Sequence, residues 1–460
     1  MRSPISVASM IHCYKLGGYN IVLDVSSGAV HSVDDVAFDA ICLYETLSRE
    51  EIKKRLKDKY SKLTDDDIAE LLTDIEQLKL RGKLFSTDVF GGVAEQRRNT
   101  SLKALCLNVS HQCNMSCEYC FAGRGGYGGE TGLMSFETGK QAIDFLVGNS
   151  NGRTNLDVDF FGGEPLLNWE VVKSVVGYAR EIEQDSGKKF RFTLTTNGLL
   201  IDDDVISFTN REMSNIVLSL DGRPETNDAL RKLPGGGGSY SEVLPKIRKL
   251  VDARRGKGYY IRSTFTRRNL DFVNDILHIA DLGFAELSTE PVVARPGSPF
   301  ELTMGDLESI KKQYETLAVE MLRRKKQGRG FRFYHFLLDL TGGPCIHKRI
   351  AGCGVGSEYL AVTPEGCLYP CHQFVGDERF LMGDIRRGVI IKQPHEEFRG
   401  CNIYSRGECR ACWARLFCSG GCAASAFYAS GSVKGVYELG CEMFRKRMEC
   451  AIMMQADSLT

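Results

Sequence analysis

The sequence predicts an α/β protein whose central unit is a partial (β/α)6 barrel, with a smaller unit on either side. Between residues 104 and 289, six buried strand-like segments alternate with amphipathic helices, which is the pattern of a parallel sheet. Strands and three short helices precede this region, and closely spaced cysteines fill the end of the chain. We therefore divide the chain into residues 1–95, 96–300, a bridging helix at 301–330, and 331–460.

Composition narrows the class of protein and its partners. The chain has 460 residues, with Lys plus Arg and Asp plus Glu both at 59, so no basic surface favours nucleic acid. We find no apolar run of membrane-spanning length and no signal peptide. The chain has seventeen cysteines, and those from Cys113 onward lie in tight groups at metal-ligand spacings instead of spreading as disulfides would. These features predict a cytoplasmic protein that binds neither nucleic acid nor membrane.

The N-terminal unit begins with a hairpin. Residues 19–25 alternate in polarity, and a Ser-Ser-Gly turn leads into residues 29–33. Ser48 with Glu51 forms a capping box for the second of three helices, and Thr64 caps the third. Such a winged-helix-like unit can bind DNA, but its mixed charge favours peptide binding. The edge of the hairpin near residues 19–25 is the expected docking strand.

The central unit follows in order. The strand at 104–110 delivers a cysteine loop from its carboxyl end, and the bridging helix is predicted at 303–326. The other five strands are predicted at 156–161, 190–195, 216–220, 259–265 and 285–289. Functional loops are expected at the carboxyl ends of these strands.

The cysteine loop carries Cys113, Cys117 and Cys120. Three thiolates can hold three irons of a 4Fe–4S cluster, whereas a complete cluster takes four, so the fourth iron is open to a small ligand. Gly162 and Gly163 follow the next strand and can form a plain tight turn. Their place beside the cysteine loop favours a backbone contact with that ligand.

The tail contains a second, denser set of cysteines, whose short and ordered spacing is hard to explain by core packing. A structural zinc site is the alternative interpretation. The set comprises Cys345, Cys353, Cys371, Cys409, Cys412, Cys418, Cys422 and Cys441.

The cysteine loop resembles the signature of radical SAM enzymes, and residues 162–165 resemble that family's glycine-rich turn. The resemblance implies that S-adenosylmethionine binds the open iron of a 4Fe–4S cluster on Cys113, Cys117 and Cys120, the catalytic set. The residues that it implies for cofactor binding are Tyr119, Phe121, Gly162, Gly163, Glu164, Asn197, Ser219 and Arg231.

The tail resembles the SPASM domain, which holds two further 4Fe–4S clusters, for a total of three. The resemblance assigns an outer group of ligands, Cys409, Cys412, Cys418 and Cys441. It assigns an inner group, Cys345, Cys353, Cys371 and Cys422. Cys345 precedes the core pattern, and without it the inner cluster has an open iron for a substrate thiolate.

The N-terminal unit resembles the peptide-recognition element of peptide-modifying enzymes, and the whole chain is similar to maturases of SCIFF peptides. This similarity implies thioether crosslinking of a ribosomally made, cysteine-rich precursor peptide bound through its leader. It also implies an electron donor such as a flavodoxin or ferredoxin. The alternatives are another SPASM-type reaction (Ser or Cys oxidation, or a carbon–carbon crosslink) and an iron–sulfur sensor that binds DNA.

Overall fold

The computed structural model describes residues 10–96, 101–129, 131–294, 297–340 and 346–457. The N-terminal unit is a three-stranded antiparallel sheet followed by helices. Its strands are β1 (Ile11–Leu16), β2 (Tyr19–Asp24) and β3 (Val30–Val33). Its helices are α1 (Asp35–Leu43), α2 (Arg49–Lys59), α3 (Asp65–Leu80) and the short α4 (Gly91–Gln96). The predicted capping box at Ser48 and the predicted cap at Thr64 are both present, and Thr64 forms a capping box with Asp67.

The prediction that a peptide docks on a free strand edge at residues 19–25 is wrong. β2 is the middle strand of the sheet, paired with β1 on one side and β3 on the other. Strand β1 escaped prediction because its residues, Ile-His-Cys-Tyr-Lys-Leu, are mostly half-exposed and do not alternate regularly between apolar and polar. The outer strands of this sheet are β1 and β3, and β1 is tied to the last helix by the Tyr14 hydroxyl, which donates to the Glu449 carbonyl at 3.0 Å.

The central unit alternates strands and helices as predicted. Its strands are β4 (Ala104–Ser110), β5 (Ser116–Cys117), β6 (Asn155–Gly162), β7 (Lys189–Thr196), β8 (Met213–Ser219), β9 (Arg231–Lys232), β10 (Gly258–Phe265) and β11 (Glu286–Pro291). Its helices are α5 (Phe136–Gly148), α6 (Trp169–Ser186), α7 (Asp203–Glu212), α8 (Pro224–Leu230), α9 (Tyr240–Arg254) and α10 (Phe272–Asp281).

The bridging helix is α11 (Leu307–Lys326), and it packs against the C-terminal helix α17. The remaining strands are β12 (Arg332–Phe333), β13 (Tyr359–Val362), β14 (Cys367–Tyr369), β15 (Gly383–Asp384) and β16 (Gly388–Val389). The remaining helices are α12 (Ile346–Ala351), α13 (Lys392–Arg399), α14 (Gly407–Arg410), α15 (Arg415–Cys418), α16 (Ala423–Ser430) and α17 (Glu438–Asp457).

One 11-stranded sheet runs through the central and C-terminal units, in the order β12-β11-β10-β8-β7-β6-β4-β13-β14-β15-β16. The six predicted strands lie side by side and parallel. β13 continues the parallel sheet beyond β4, with Tyr359 opposite Ala104 and Val362 opposite Leu107. Every residue of β4 is buried, as expected for a central parallel strand. Over the described residues the sheet stays open, ending at β12 and β16, as a partial barrel does.

Candidate functional site

The loop after β4 gathers the three cysteines of the predicted radical SAM cluster. Cys113 lies close enough to Cys117 and Cys120 for their charges to act on it. Burial raises the pKa of Cys113 to about 11 and also raises that of Cys117. These two thiols are therefore protonated near neutral pH, and a metal must displace their protons to bind.

The glycine turn after β6 packs against the start of this loop. The Gly163 amide donates to the Ser110 carbonyl at 2.7 Å, and the Glu164 amide donates to the Gln112 carbonyl at 2.8 Å. A Cβ atom on Gly163 would lie 2.1 Å from the Gln112 carbonyl oxygen. Only glycine allows this approach, so the turn holds the backbone just before Cys113.

Glu164 holds the same turn to the end of β7. Its fully buried carboxylate accepts from the Thr196 hydroxyl and from the Asn197 amide, each at 2.8 Å. Burial raises the pKa of Glu164. Asn197 in turn donates from Nδ2 to Asn114 Oδ1 at 2.8 Å, and this nitrogen lies 3.8 Å from Cys113 Sγ. Predicted cofactor residues from two strands therefore surround the first cysteine.

Tyr119 and Arg231 support the other side of the loop. The Tyr119 hydroxyl donates to Asp221 Oδ2 at 2.6 Å and accepts from Arg231 Nη1 at 2.8 Å. The β5–β9 pairing sets Arg231 opposite Cys117. Burial alone would lower the pKa of Arg231. The negative charges that Tyr119, Cys117 and Asp221 can carry have the larger combined effect, so the pKa lies well above its ordinary value. Asp221 was not among the predicted site residues, although its place directly after β8 was a usable signal.

A cavity of about 510 Å³ lies between this loop and the C-terminal unit. Four of the residues predicted to bind cofactor line it, namely Tyr119, Phe121, Ser219 and Arg231. Three of the tail cysteines line it from the other side, namely Cys418, Cys422 and Cys441. The lining includes neither Gly162, Gly163, Glu164 and Asn197 nor the three loop cysteines, Cys113, Cys117 and Cys120.

A polar network at the β11 side of the cavity was also missed. Glu290 Oε1 lies 3.3 Å from His335 Nε2 and 4.0 Å from Arg262 Nη2. Burial lowers the pKa of His335, so its ring is neutral. Arg447 Nη1 lies 2.9 Å from His335 Nδ1. Because a guanidinium only donates, Nδ1 is the acceptor and the ring proton belongs on Nε2, facing Glu290.

The predicted inner group is brought together by β13 and β14. Cys353, Cys371 and Cys422 lie close enough to act electrostatically on one another. Burial raises the pKa of Cys353 and of Cys371. Cys345, the fourth predicted ligand, lies outside the described residues.

The predicted outer group is brought together by the α14–α15 segment and the start of α17. Cys418 and Cys441 are both influenced by Cys409 and Cys412. Burial raises the pKa of Cys418 to about 12 and that of Cys441 to about 11. In the described stretches, no three His, Cys, Asp or Glu side chains converge closely enough to hold one metal ion. A 4Fe–4S cluster differs from such a site because it spreads its thiolates over separate irons.

Comparison with known proteins assigns the central unit. Residues 107–269 match the family model of the Radical SAM superfamily. An uncharacterized protein of Methanocaldococcus jannaschii is 26% identical over 302 residues, which is 65% of this chain and 94% of that protein. A cysteine-type anaerobic sulfatase-maturating enzyme of Clostridium novyi is 23% identical, over 70% of this chain and 88% of that enzyme. The chain therefore carries a radical SAM domain and is related to sulfatase-maturating enzymes.

Solved structures agree on the fold. The anaerobic sulfatase-maturating enzyme anSMEcpe with bound AdoMet aligns with a TM-score of 0.64 at 22% identity, over 78% of this chain and 99% of that chain. Streptococcus suis SuiB bound to precursor peptide SuiA aligns with a TM-score of 0.54 at 14% identity, over 94% of this chain and 98% of that chain. Both have the mixed α/β radical SAM fold found here.

None of the described helices combines the length and apolar character that a membrane span requires.

Proposed function

We propose that this protein is a radical SAM peptide maturase that forms thioether crosslinks, from a cysteine sulfur to a carbon, in a ribosomally made precursor peptide. One observation carries the proposal. A single cavity is lined on one side by Tyr119 and Phe121, which flank Cys120 in the cysteine loop, and on the other side by Cys418, Cys422 and Cys441. A substrate in this cavity would therefore contact neighbours of the first cysteine set and three of the tail cysteines.

The residues fit the groups that the proposal requires. Cys113, Cys117 and Cys120 would hold the first 4Fe–4S cluster, and the turn at Gly163 leaves the backbone close to it. When bound, this cluster and S-adenosylmethionine supply a carbon-centred radical that removes a hydrogen atom from the substrate. The hydrogen bonds among Tyr119, Arg231 and Asp221 would fix the position of the loop beside the cavity.

The inner group is the proposed site for the substrate thiol. Cys422 lines the cavity, and Cys353 and Cys371 lie beside it. The three described cysteines would leave one iron for the substrate sulfur if Cys345 is not a ligand. The sulfur would then be held at the wall of the same cavity in which a substrate carbon loses its hydrogen.

The leader of the precursor is proposed to add a strand to β3. This edge replaces the one at residues 19–25, since both sides of β2 are paired and β1 lies against α17. Strand addition uses backbone hydrogen bonds for affinity and alternate side chains for specificity. It would also raise the local concentration of the core peptide at the cavity.

The proposal is tested by anaerobic reconstitution with iron and sulfide, followed by S-adenosylmethionine, a reductant and short cysteine-rich peptides. We expect 5′-deoxyadenosine together with a peptide that has lost two hydrogen atoms per crosslink and no longer reacts with a thiol reagent. A peptide with Ser in place of the donor Cys is the matched control. Deoxyadenosine without loss of hydrogen from any peptide would refute crosslinking.

The same products separate the alternative SPASM-type reactions. Oxidation of a Cys side chain consumes the thiol but leaves no covalent link between two residues. A carbon–carbon crosslink removes two hydrogens but leaves the thiol free. Fragmentation of the product peptide by tandem mass spectrometry distinguishes these outcomes.

A further inference from the structure

Arginine side chains surround the outer cysteine group, and the proposed function gives them no role. Arg406 precedes α14, whereas Arg445 and Arg447 lie on α17, so two separate parts of the chain contribute. We call these three residues the arginine collar. Arg445 contacts Cys412, and the charges of Arg406 and Arg447 act on Cys409 and Cys418.

Arg406 is buried, with 4% of its surface exposed. Its Nη2 donates to the Val433 carbonyl at 2.7 Å and lies 2.9 Å from Cys401 Sγ. Burial raises the pKa of Cys409, whereas the nearby charge of Arg406 favours the Cys409 thiolate. The carbonyls of Val433 and Gly420 accept hydrogen bonds from Arg406 and fix its guanidinium, whose nearest cysteine sulfur is that of Cys401.

Arg445 and Arg447 approach the group from α17. Arg445 Nη1 lies 3.7 Å from Cys412 Sγ, and its other nitrogen is held by Glu442 one turn earlier. Arg447 lines the central cavity, and its charge favours the Cys418 thiolate. Arg445 is four residues after Cys441, so the helix places both on one face.

The inner group has a different environment. Burial has the largest effect on Cys371, and the charges that act on it are those of other cysteines, first Cys422 and then Cys353. Cys371 also packs in an apolar cluster with Phe374 and Phe398. Backbone amides of Gln373 and Val355 favour the thiolates of Cys371 and Cys353, and the charge of Lys103 also acts on Cys353. The side-chain cations that act on the outer group are thus guanidinium groups, whereas the one that acts on Cys353 is an ammonium group.

From this geometry we propose that the arginine collar raises the reduction potential of the outer 4Fe–4S cluster above that of the inner one. Reduction adds a negative charge, and positive groups and N–H···S hydrogen bonds stabilise that charge. The inference rests on the proposed function, since it requires an iron-loaded outer group. Cofactor cleavage would consume one electron, and the hydrogen atom of the broken C–H bond would end in 5′-deoxyadenosine. Closing the C–S bond would then break the S–H bond and release one proton and one electron. The collar makes the outer cluster the favoured acceptor of that electron.

The test is a redox titration of the anaerobically reconstituted full chain, in which electron paramagnetic resonance detects the reduced clusters at each potential. A Cys418→Ala variant identifies the signal of the outer cluster. In Arg445→Gln we expect the reduced-to-oxidised ratio of that signal to fall about tenfold at a fixed potential, which is 59 mV for one electron. Arg445→Lys keeps the charge and should recover part of the shift. The matched control is Arg410→Gln, because exposed Arg410 donates to the Tyr404 carbonyl and not to a cysteine.

Iron content separates the failure of this inference from the failure of the proposed function. A wild-type chain that never loads the outer cluster would contradict the proposed cofactor set. A fully loaded Arg445→Gln chain with an unchanged outer potential would overturn the collar. Where Arg445→Gln does not load, Arg445→Lys decides: an outer potential lower than wild type supports the collar, and an unchanged one overturns it.

Discussion

The inner and outer cysteine groups share one domain but are supported in different ways. The inner group is positioned by strands of the main sheet. Cys353 lies before β13, and Cys371 lies after β14. The outer group lies on short helices and the start of α17, with guanidinium groups around it. Each group also reaches the central cavity, through Cys422 and through Cys418.

This difference indicates a division of labour. Hydrogen bonds between β13 and β4 fix the inner group relative to the loop that carries Cys113. Fixed geometry suits a site that must hold a substrate sulfur near a reacting carbon. The positively charged environment of the outer group favours uptake of an electron instead, because it stabilises the negative charge that reduction adds. The following predictions test this division, beginning with the largest expected effect.

Replacing Cys113, Cys117 and Cys120 together with Ala should abolish cofactor cleavage and leave both other groups intact. We expect roughly four of roughly twelve irons to be lost, because the proposed cofactor set is three clusters of four irons each. Iron analysis and deoxyadenosine production measure both effects. Loss of all iron would show that the tail cysteines do not bind clusters independently.

Single replacements should separate the two tail groups. Cys371→Ala should still produce deoxyadenosine but no crosslinked peptide, because the proposed sulfur site is lost. Cys418→Ala should slow repeated turnover, since the surplus electron loses its acceptor. Equal effects of both variants on single-turnover crosslinking would contradict the division.

Asp88→Asn should destabilise the support of the outer group. Arg415 Nη2 lies 3.1 Å from Asp88 Oδ2, both side chains are almost fully buried, and Arg415 also donates to the Cys412 carbonyl at 3.3 Å. Breaking a buried ion pair leaves one uncompensated charge, which costs about 3 kcal/mol in the free energy of unfolding. Chemical denaturation measures the loss, with exposed Asp58→Asn as control. Equal stability of the two variants would remove Asp88 from the support of this group.

Cluster loading should accelerate as the pH rises. Cys113 and Cys441 have pKa values raised to about 11, and Cys418 to about 12, so each is protonated at pH 7. Since the thiolate binds metal, each rate-limiting deprotonation should increase the initial rate of loading up to about tenfold per pH unit. Reconstitution followed by absorbance between pH 7 and 9 measures this slope. A flat profile would show that thiol deprotonation does not limit loading.

Local patterns carried most of the fold prediction. The buried run of β4, the capping boxes and the six parallel strands were visible in the sequence because each depends on neighbouring residues. Strand β1 was not visible, since its half-exposed residues gain their place by pairing with β2. The docking edge was consequently placed on the wrong strand.

The candidate site was predictable to a similar extent. The spacing of the cysteine loop singled out Cys113, Cys117 and Cys120, and resemblance supplied the interleaved inner and outer groups. The structure brings together the described members of each group. Arg445 was missed because it meets Cys412 only when α17 folds against the segment between α14 and α15. Arg406 was missed although it lies only three residues before Cys409. Contacts between distant segments leave no mark in local sequence.

The parallel pairing of β13 with β4 has a consequence for building chimeric enzymes. Separating the C-terminal unit from the central one would cut backbone hydrogen bonds and leave the edge of β4, which is wholly buried, open to solvent. Such an uncovered apolar edge pairs with other chains and aggregates. A chimera that exchanges the C-terminal unit therefore has to bring a β13 that pairs with β4 in the same register. Otherwise the junction has to leave the recipient's own β13 in place.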